Sequence, residues 1–505
     1  MKAFYVAGEF YGIQKYVLGI TAAGGGQAKR LRARSFVVQV LEDIAVAEID
    51  ALGPSTVVMG GGGQFVLEVE NSEREEALRS FRKDLQRRLF EELGGELSFN
   101  LGWADSIEGA LRERALERRR PWAGIMIGPE GWLHKQMRFD DISPPCEVCR
   151  KRRARKMWES DGTPDVCERC DTDRRIGELI PRVQGVELSE RDAEARLLGR
   201  GIRFRHANEG ERAGLPGRLM YRYVPVRQDG SLATFEEIAE QAQGDELLGI
   251  LKADVDDFGK LIAAHMQMDK LDELRAISAH LDDFFSGTVQ RMIREGTEWS
   301  SIYTVFSGGD DLLLVGPWSV MLDFAATVED AFSAGPGRQY RLTLSAGVSF
   351  MPPRIPIRHG VRRAEEQLKQ AKRGKKNQCA TLGGIWSWEA LRRVLGGGRQ
   401  LVKWQRWEAA KRGLLRRLHR LASSSEPTGH LWAWELGRNF PKPNAKQEEH
   451  KLFREWGKRV LANWDKDSMK ETRAALLYAL TATRIRSKDE RRDQPAGHDR
   501  RHLGR

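Results

Sequence analysis

The sequence runs to 505 residues, 40% of them hydrophobic and 31% charged, with a formal net charge of +11. That length is too great for a single core and predicts roughly three or four domains of an ordinary globular protein. No apolar run approaches the roughly 20 residues of a membrane span, and the opening MKAFYVAGEFYGIQKYVLG lacks a signal peptide's apolar core and cleavage site, so a cytoplasmic chain with no membrane partner is expected.

Taken in chain order, KAFYVAGEFYGIQKYVLG reads as an apolar strand running into a small-residue loop and a helix. The glycine-rich stretch STVVMGGGGQFVLEV (55–69) then reads as a tight hairpin, followed by a helical stretch and a further strand. Next come CEVC at 146–149 and CERC at 167–170, with 17 residues between the pairs. Two such knuckles are the ligand set of a tetrahedral zinc site, formed by Cys146, Cys149, Cys167 and Cys170. Four thiolates leave no open position for water, so the zinc is expected to be structural, replacing a hydrophobic core in a short loop. A disulfide reading does not suit a cytosolic chain. The intervening RKRRARK is basic, either an RNA contact or a solvated loop, and the fifth cysteine, Cys379, reads as a packed thiol.

Beyond the knuckles, LLGILKADVDDFGKLIAAH (247–265) repeats the strand, loop and helix of the N-terminus. YTVFSGGDDLLLV (303–315) repeats the hairpin, and YRLTLSAGVSF (340–350) the strand after it. The chain therefore reads as two copies of one α/β unit with the zinc loop between them. Copy one has Gly-Gly-Gly-Gly-Gln where copy two has Gly-Gly-Asp-Asp, and Gly8 or Glu9 where copy two has Asp254.

Adjacent carboxylates at the tip of an apolar hairpin repel unless a cation lies between them. With Asp254 ending a neighbouring strand, Asp254, Asp310 and Asp311 would meet at one sheet edge. An oxygen-rich site of this kind suits Mg²⁺ or Mn²⁺, and a pair of such ions can activate a hydroxyl and neutralise a leaving pyrophosphate. A non-catalytic calcium or turn site is the alternative.

From Trp386 onward the chain reads as helical pieces, with 28 Lys+Arg against 14 Asp+Glu and eight of the 14 tryptophans. The tryptophans read as core rather than stacking platforms, and the Arg and Lys faces as the better candidates for an RNA backbone or a partner subunit. SSSEPTG (423–429) and NFPKPNAKQ (439–447) read as loop breaks, and SKDERRDQPAGHDRRHLGR as a disordered tail.

Together, ADVDDFGKL, FSGGDDLLLV, LTLSAGVSF and AEEQLKQAKRGKKN closely resemble the palm domain shared by diguanylate cyclases and the large subunit of type III CRISPR effector complexes. Gly-Gly-Asp-Asp in place of Gly-Gly-Asp-Glu-Phe points to the CRISPR subunit, as do the zinc knuckles, the degenerate first palm, YGIQKYVLG, AKRLRARSFVVQVLEDIA and the basic helical C-terminus. The resemblance covers nearly the whole chain. It implies an α/β (α+β) protein with two ferredoxin-like palm domains, a zinc-ribbon insert and a C-terminal helical domain. It also implies a subunit that, when its complex binds target RNA, joins ATP into cyclic oligoadenylate messengers, with CRISPR RNA, target RNA and other Cas subunits as partners.

The resemblance carries roles over by residue. Asp254 and Asp311 match the family's metal ligands, the carbonyl of Val255 a further one, and Asp310 completes the cluster. Ser307, Gly308 and Gly309 fall where the nucleotide approaches, and Lys372 and Lys376 match positions that contact triphosphate in related cyclases, a solvated helix end being the alternative. Asp256 and Asp257 are weaker candidates, at least one of them a loop or capping residue. Many members also carry a His-Asp nuclease domain. Here the palm begins within ten residues of Met1 and the only His-Asp pair is His498-Asp499 in the tail, so that nuclease is expected to be absent.

The resulting map places a degenerate first palm over 1–135, a zinc segment over 136–180, a linker with the Gly-Gly-Asp-Asp palm over 181–385, a basic helical domain over 386–486 and a tail over 487–505. A nucleotidyl transferase with another acceptor, or a silent RNA-binding scaffold, are the other readings. The intact acids of copy two argue against the scaffold.

Overall fold

In the computed structural model the described residues are 4–20, 26–70, 74–123, 144–154, 165–180, 183–189, 191, 193–206, 218–219, 223–268, 270–407, 409–423, 429–439, 448–463 and 465–484. The disordered-tail reading, His498-Asp499, and most of the two loop breaks lie outside them. Among the described residues no helix is long and apolar enough to cross a membrane.

The repeat seen in the sequence is a repeat of topology. Strands β1 (Phe4–Tyr11), β2 (Ser55–Gly61), β3 (Gln64–Val69) and β4 (Ser98–Ala104) form an antiparallel sheet in the order β2-β3-β1-β4. A third, small sheet follows, in the order β6-β7-β5-β8, from β5 (Val183–Leu188), β6 (Ala195–Leu197), β7 (Arg200–His206) and β8 (Arg218–Leu219). The stretch read as a linker at the start of 181–385 thus has a sheet of its own. The second palm has β9 (Leu248–Val255), β10 (Tyr303–Gly308), β11 (Asp311–Pro317) and β12 (Leu344–Met351) in the order β10-β11-β9-β12, the same order as the first palm. Two short strands, β13 (Gln378–Thr381) and β14 (Gly384–Ser387), extend it, and the C-terminal helices begin only at Trp388. Both hairpins share one irregularity: the register shifts between Val57 and Met59 in copy one and between Thr304 and Phe306 in copy two.

Strand β9 is central to its sheet and buried along nearly its whole length, which its Leu-Gly-Ile-Leu-Lys-Ala-Asp-Val sequence allows because the two faces alternate. Leu251, Ala253 and Val255 face a core shared with the C-terminal helices, where Trp388, Trp404, Trp432 and Tyr478 are buried. Leu248 and Ile250 face the opposite way, into a core continuous with the first palm and the zinc segment. On that second face lies the helix Ile357–Lys372, whose Ile357, Val361, Ala364 and Leu368 recur at helical spacing. Continuing along the face, Lys252 and Asp254 follow Ile250, so an apolar floor gives way to charge at the hairpin end.

The two palms meet directly. The helix Gln27–Ala51 of the first palm packs on β10: the Ser35 hydroxyl donates to the Val305 carbonyl at 2.5 Å, and the Tyr303 hydroxyl to the Ala28 carbonyl at 2.8 Å. The helix Leu271–Asp282 of the second palm reaches back, with Arg275 donating to Glu68 at 2.6 Å. At the centre the hairpin tips face one another, so that a Cβ built on Gly61 would lie 3.9 Å from the Gly309 Cα.

Part of the C-terminal basic charge is paired within the protein. Arg392 pairs with Glu329 and Asp330, Arg399 with Asp323, Arg393 with Glu471 and Arg417 with Glu435.

Candidate functional site

Cross-strand register brings the acids of the second palm together. Asp311, the first residue of β11, lies directly opposite Asp254 on β9, and the Val255 N–H donates to the Asp310 carbonyl at 3.1 Å. The turn between the strands needs a left-handed residue, which Gly309 supplies at φ 62°. Beside the acids is a cleft of about 530 Å³ lined by Lys252, Asp254, Asp310, Asp311 and, from the helix Ile357–Lys372 and its end, Glu365, Lys369, Lys372 and Arg373.

Lys372 donates to Asp254 and, at 3.1 Å, to the Val255 carbonyl. An ammonium group thus occupies the place between carboxylate and carbonyl where the sequence called for a cation. Asp311 Oδ1 is buried with no hydrogen-bond partner, an arrangement that costs free energy unless an ion fills it. This donor set of carboxylates and one carbonyl fits a hard divalent cation such as Mg²⁺ or Mn²⁺.

The candidate residues separate by position. Asp256 is buried and accepts from the Thr343 hydroxyl (2.8 Å), the Ser345 hydroxyl (2.9 Å) and the Asn377 N–H (3.0 Å), so it fastens the end of β9 to β12 and to the loop after the helix. Asp257 opens the helix Phe258–Gln267 with its carbonyl and pairs with Lys376 at 2.6 Å. Lys376 is therefore turned away from the acids, and the cleft's other cations are Lys252, Lys369 and Arg373, which the sequence reading passed over. A signal for them was present. Lys252 precedes Asp254 by two and shares its strand face, while Lys372 and Arg373 follow Lys369 by three and four residues, both helical spacings. The Ser307 hydroxyl donates inward to the Phe285 carbonyl at 2.5 Å, so of these three only Gly308 and Gly309 offer bare backbone at the tip.

Burial, and secondarily the neighbouring Asp254, push the Asp310 carboxyl up to about 6. Burial also pushes Asp311 up to about 7, with Asp254 and Asp310 adding to the effect and Lys252 opposing it. Asp254 is raised by burial, against the pull of Lys372. Unfolded carboxylates titrate near ~3.9, so between that pH and about 7 the folded chain holds protons that the unfolded chain has released. Metal-free protein should therefore lose stability as pH rises through this window. Without added Mg²⁺ or Mn²⁺, the Tm of the wild type should fall between about pH 4 and about pH 7 more steeply than that of Asp310→Ala with Asp311→Ala. Parallel curves would show that burial does not raise these carboxyls as described.

The first palm repeats the frame without the acids. Glu9 lies opposite Gln64, as Asp254 lies opposite Asp311, so Glu9 is the counterpart of Asp254. Gly8 faces the other way, where an added Cβ would come within 2.1 Å of the Phe65 ring. Glu9 is buried beside Arg114 at 3.6 Å and Arg118 at 3.7 Å, guanidinium groups from the helix that follows β4 and its end.

The four cysteines of the knuckles are buried, with their sulfurs all within 4.8 Å of one another. Cys149 and Cys167 are 3.9 Å apart, against about 3.8 Å for two thiolates on one tetrahedral zinc. The segment is bolted to the first palm. Arg34, fully buried, donates to Asp173 at 2.8 Å and lies 3.7 Å from Cys170 Sγ. Lys151 and Arg152 of the basic run both pair with Glu96 at 2.6 Å, so these two neither float in solvent nor await RNA.

Comparison with known proteins agrees with this architecture. Residues 247–380 match the family described as Cas10/Cmr2, second palm domain, and residues 2–129 match Csm1 subunit domain B. A Cas10/Csm1 protein of subtype III-A from Thermococcus onnurineus, described as a CRISPR system single-strand-specific deoxyribonuclease, is 26% identical over 75% of this chain and 55% of its own length. A relative of the same description from Methanocaldococcus jannaschii is 31% identical over 30% of this chain and 21% of its own. The chain thus spans about half the length of the first of these relatives. Among solved structures, the Csm1-Csm4 cassette in complex with one ATP superposes with a TM-score of 0.70 at 19% identity, covering 96% of this chain and 70% of that one. The cassette in complex with cA4 gives 0.69 at 19% identity, covering 95% and 70%. Both palms are thus matched by models of Cas10-type domains, and nearly the whole fold is shared with these cassettes.

Proposed function

We propose that this chain is the nucleotide-polymerising large subunit of a type III CRISPR effector complex, converting ATP to cyclic oligoadenylates when the complex binds target RNA. The observation that carries the reading is the cross-strand pairing of Asp254 with Asp311, with Asp310 beside them, in one palm only. Asp254, Asp310, Asp311 and the Val255 carbonyl would hold Mg²⁺ or Mn²⁺. Such ions lower the barrier to attack by a ribose hydroxyl and neutralise a departing pyrophosphate. Lys252, Lys369, Lys372 and Arg373 give the cleft the positive charge that a triphosphate still requires, and Lys372 would leave Asp254 for phosphate once a metal takes its place. The side-chain-free tip at Gly308 and Gly309 lets a nucleotide approach the backbone closely. Similar cassettes have been solved with ATP, cA3 and cA4, which supports adenine nucleotides as substrate and product. By the same likeness one partner is a Csm4-type subunit within an interference complex, and CRISPR RNA and target RNA are the partners that the resemblance in sequence implies. Zinc at the four cysteines is read as structural.

The test is to incubate the assembled complex with labelled ATP, Mg²⁺ and target RNA and to identify the product by mass. Cyclic oligoadenylates are expected. A linear conjugate to another acceptor would replace this reading with that of a different nucleotidyl transferase. With no His-Asp nuclease centre read in this sequence, single-stranded DNA added to the purified chain should stay intact. Cleavage that survives removal of the palm acids and of residues 487–505 would reveal a nuclease centre elsewhere.

A further inference from the structure

The hairpin that carries Asp310 and Asp311 is gripped from below by a segment that no motif marks. The helix Leu271–Asp282 continues as a π-helical turn over Asp283–Thr288 before the helix Val289–Glu295 resumes. Wide turns of this kind within helices concentrate at functional sites. Three contacts run from it to the hairpin. Asp282 Oδ1 accepts from the Gly309 N–H at 3.0 Å. Ser286 Oγ lies 3.1 Å from both Asp282 Oδ1 and the Ser307 carbonyl, its single proton serving one or the other. The Phe285 carbonyl accepts from the Ser307 hydroxyl. The fit leaves little slack, since a Cβ added to Gly308 would stand 3.0 Å from Ser286 Oγ and 3.2 Å from Asp282 Oδ1.

We propose that Asp282 and Ser286 are positioning residues, which fix the Ser-Gly-Gly backbone so that Asp310 and Asp311 stand in register with Asp254. The proposal rests on the reading of this hairpin as the metal and triphosphate site. The first palm supports it independently, because there too an acid on the helix after the first strand accepts a hairpin N–H: Glu42 Oε2 lies 2.9 Å from the Gly63 nitrogen. The first palm lacks the hairpin acids yet keeps a brace, so the brace serves the turn and not the ion. The chemistry needed from Asp282 is an acceptor oxygen. Its charge is incidental.

The test compares Asp282→Ala, Asp282→Asn and Ser286→Ala with wild type in the assembled complex. A displacement of about 1 Å at reacting groups costs on the order of 100-fold in rate, and Asp282→Ala should lower kcat for ATP consumption by about that much with little change in KM. Asp282→Asn keeps an acceptor oxygen and should restore most of the turnover, while Ser286→Ala should fall between. Hydrogen exchange at the Gly309 amide should quicken in Asp282→Ala and return close to wild type in Asp282→Asn. Wild-type turnover in Asp282→Ala, or Asp282→Asn as inactive as Asp282→Ala while folded, would overturn the proposal, the latter because charge would then be required. If wild type consumes no ATP, the reading of the site fails. Exchange at Gly309 then decides the brace alone, and an unchanged rate would refute it. Should Asp282→Ala fail to fold, the Ser286→Ala and Asp282→Asn pair carries the same decision.

Discussion

Replacing Asp310 and Asp311 together by alanine should abolish product formation from ATP while leaving the chain folded and assembled. The two carboxylates are the part of the cleft with no other service. Asp311 Oδ1 lacks any hydrogen-bond partner, and both carboxyls are pushed toward protonation by burial, with Asp254 adding to the effect at each and Asp310 adding to it at Asp311. Removing metal-based electrostatic stabilisation costs several kcal/mol of barrier, and each ~1.4 kcal/mol is tenfold in rate, so turnover should drop by at least ~10³-fold. Stability should hold or rise in metal-free protein, because two mutually repelling groups are gone. The measurements are ATP-derived product and subunit assembly, each on wild type and double mutant. Unchanged turnover would end the catalytic reading. Joint loss of assembly and turnover would make the hairpin structural.

Loss of zinc should be the second large effect. We expect close to one zinc per chain, and any one of Cys146→Ser, Cys149→Ser, Cys167→Ser or Cys170→Ser should release it. Structural zinc sites contribute folding free energy outright, and loss of a metal belongs to the mechanisms that exceed ~4 kcal/mol for a single change. The damage should not stop at the knuckles. Arg34 is fully buried between Asp173 and the cysteines, and the same helix, through Ala28 and Ser35, supports β10 of the second palm. A cysteine variant should therefore melt earlier across both palms, while its acidic side chains are untouched. Metal analysis finding no zinc in protein purified without chelator would sink the claim.

The repeat, the zinc knuckles and the pairing of Asp254 with the hairpin acids were legible in the sequence because each is a local pattern. Strand, glycine turn and strand recur with their spacing, and C-x-x-C pairs announce themselves. What stayed hidden depends on contacts between distant segments. Whether Gly8 or Glu9 matches Asp254 is a question of register, settled only when Gln64 and Asp311 are seen opposite them. Lys376 and Lys372 look alike in QAKRGKKN, yet the helix ends at Lys372, and the turn beyond it carries Lys376 to Asp257. Asp282 gave no signal at all. In LDDFFSG it is one more polar residue on an amphipathic helix, and its use comes from a hairpin turn more than twenty residues away. The sheet formed by β5–β8 was unreadable as a unit because its strands are short and irregularly spaced.

The pairing of Glu9 with Arg114 and Arg118 has a consequence for the protein's response to its surroundings. The first palm meets its acid with two guanidinium groups, whereas the second sets Lys372 on Asp254 and leaves Asp311 Oδ1 without a partner, a place that on the proposed reading a divalent ion from solution would fill. Starvation for divalent ions would thus stop one half while leaving its twin standing, and the twin would keep the shared frame in shape for the ions' return. On the proposed reading, sensitivity of the assembly to magnesium would belong to chemistry rather than to architecture, and a chain drained of magnesium but still holding its zinc would be a resting machine and not a broken one.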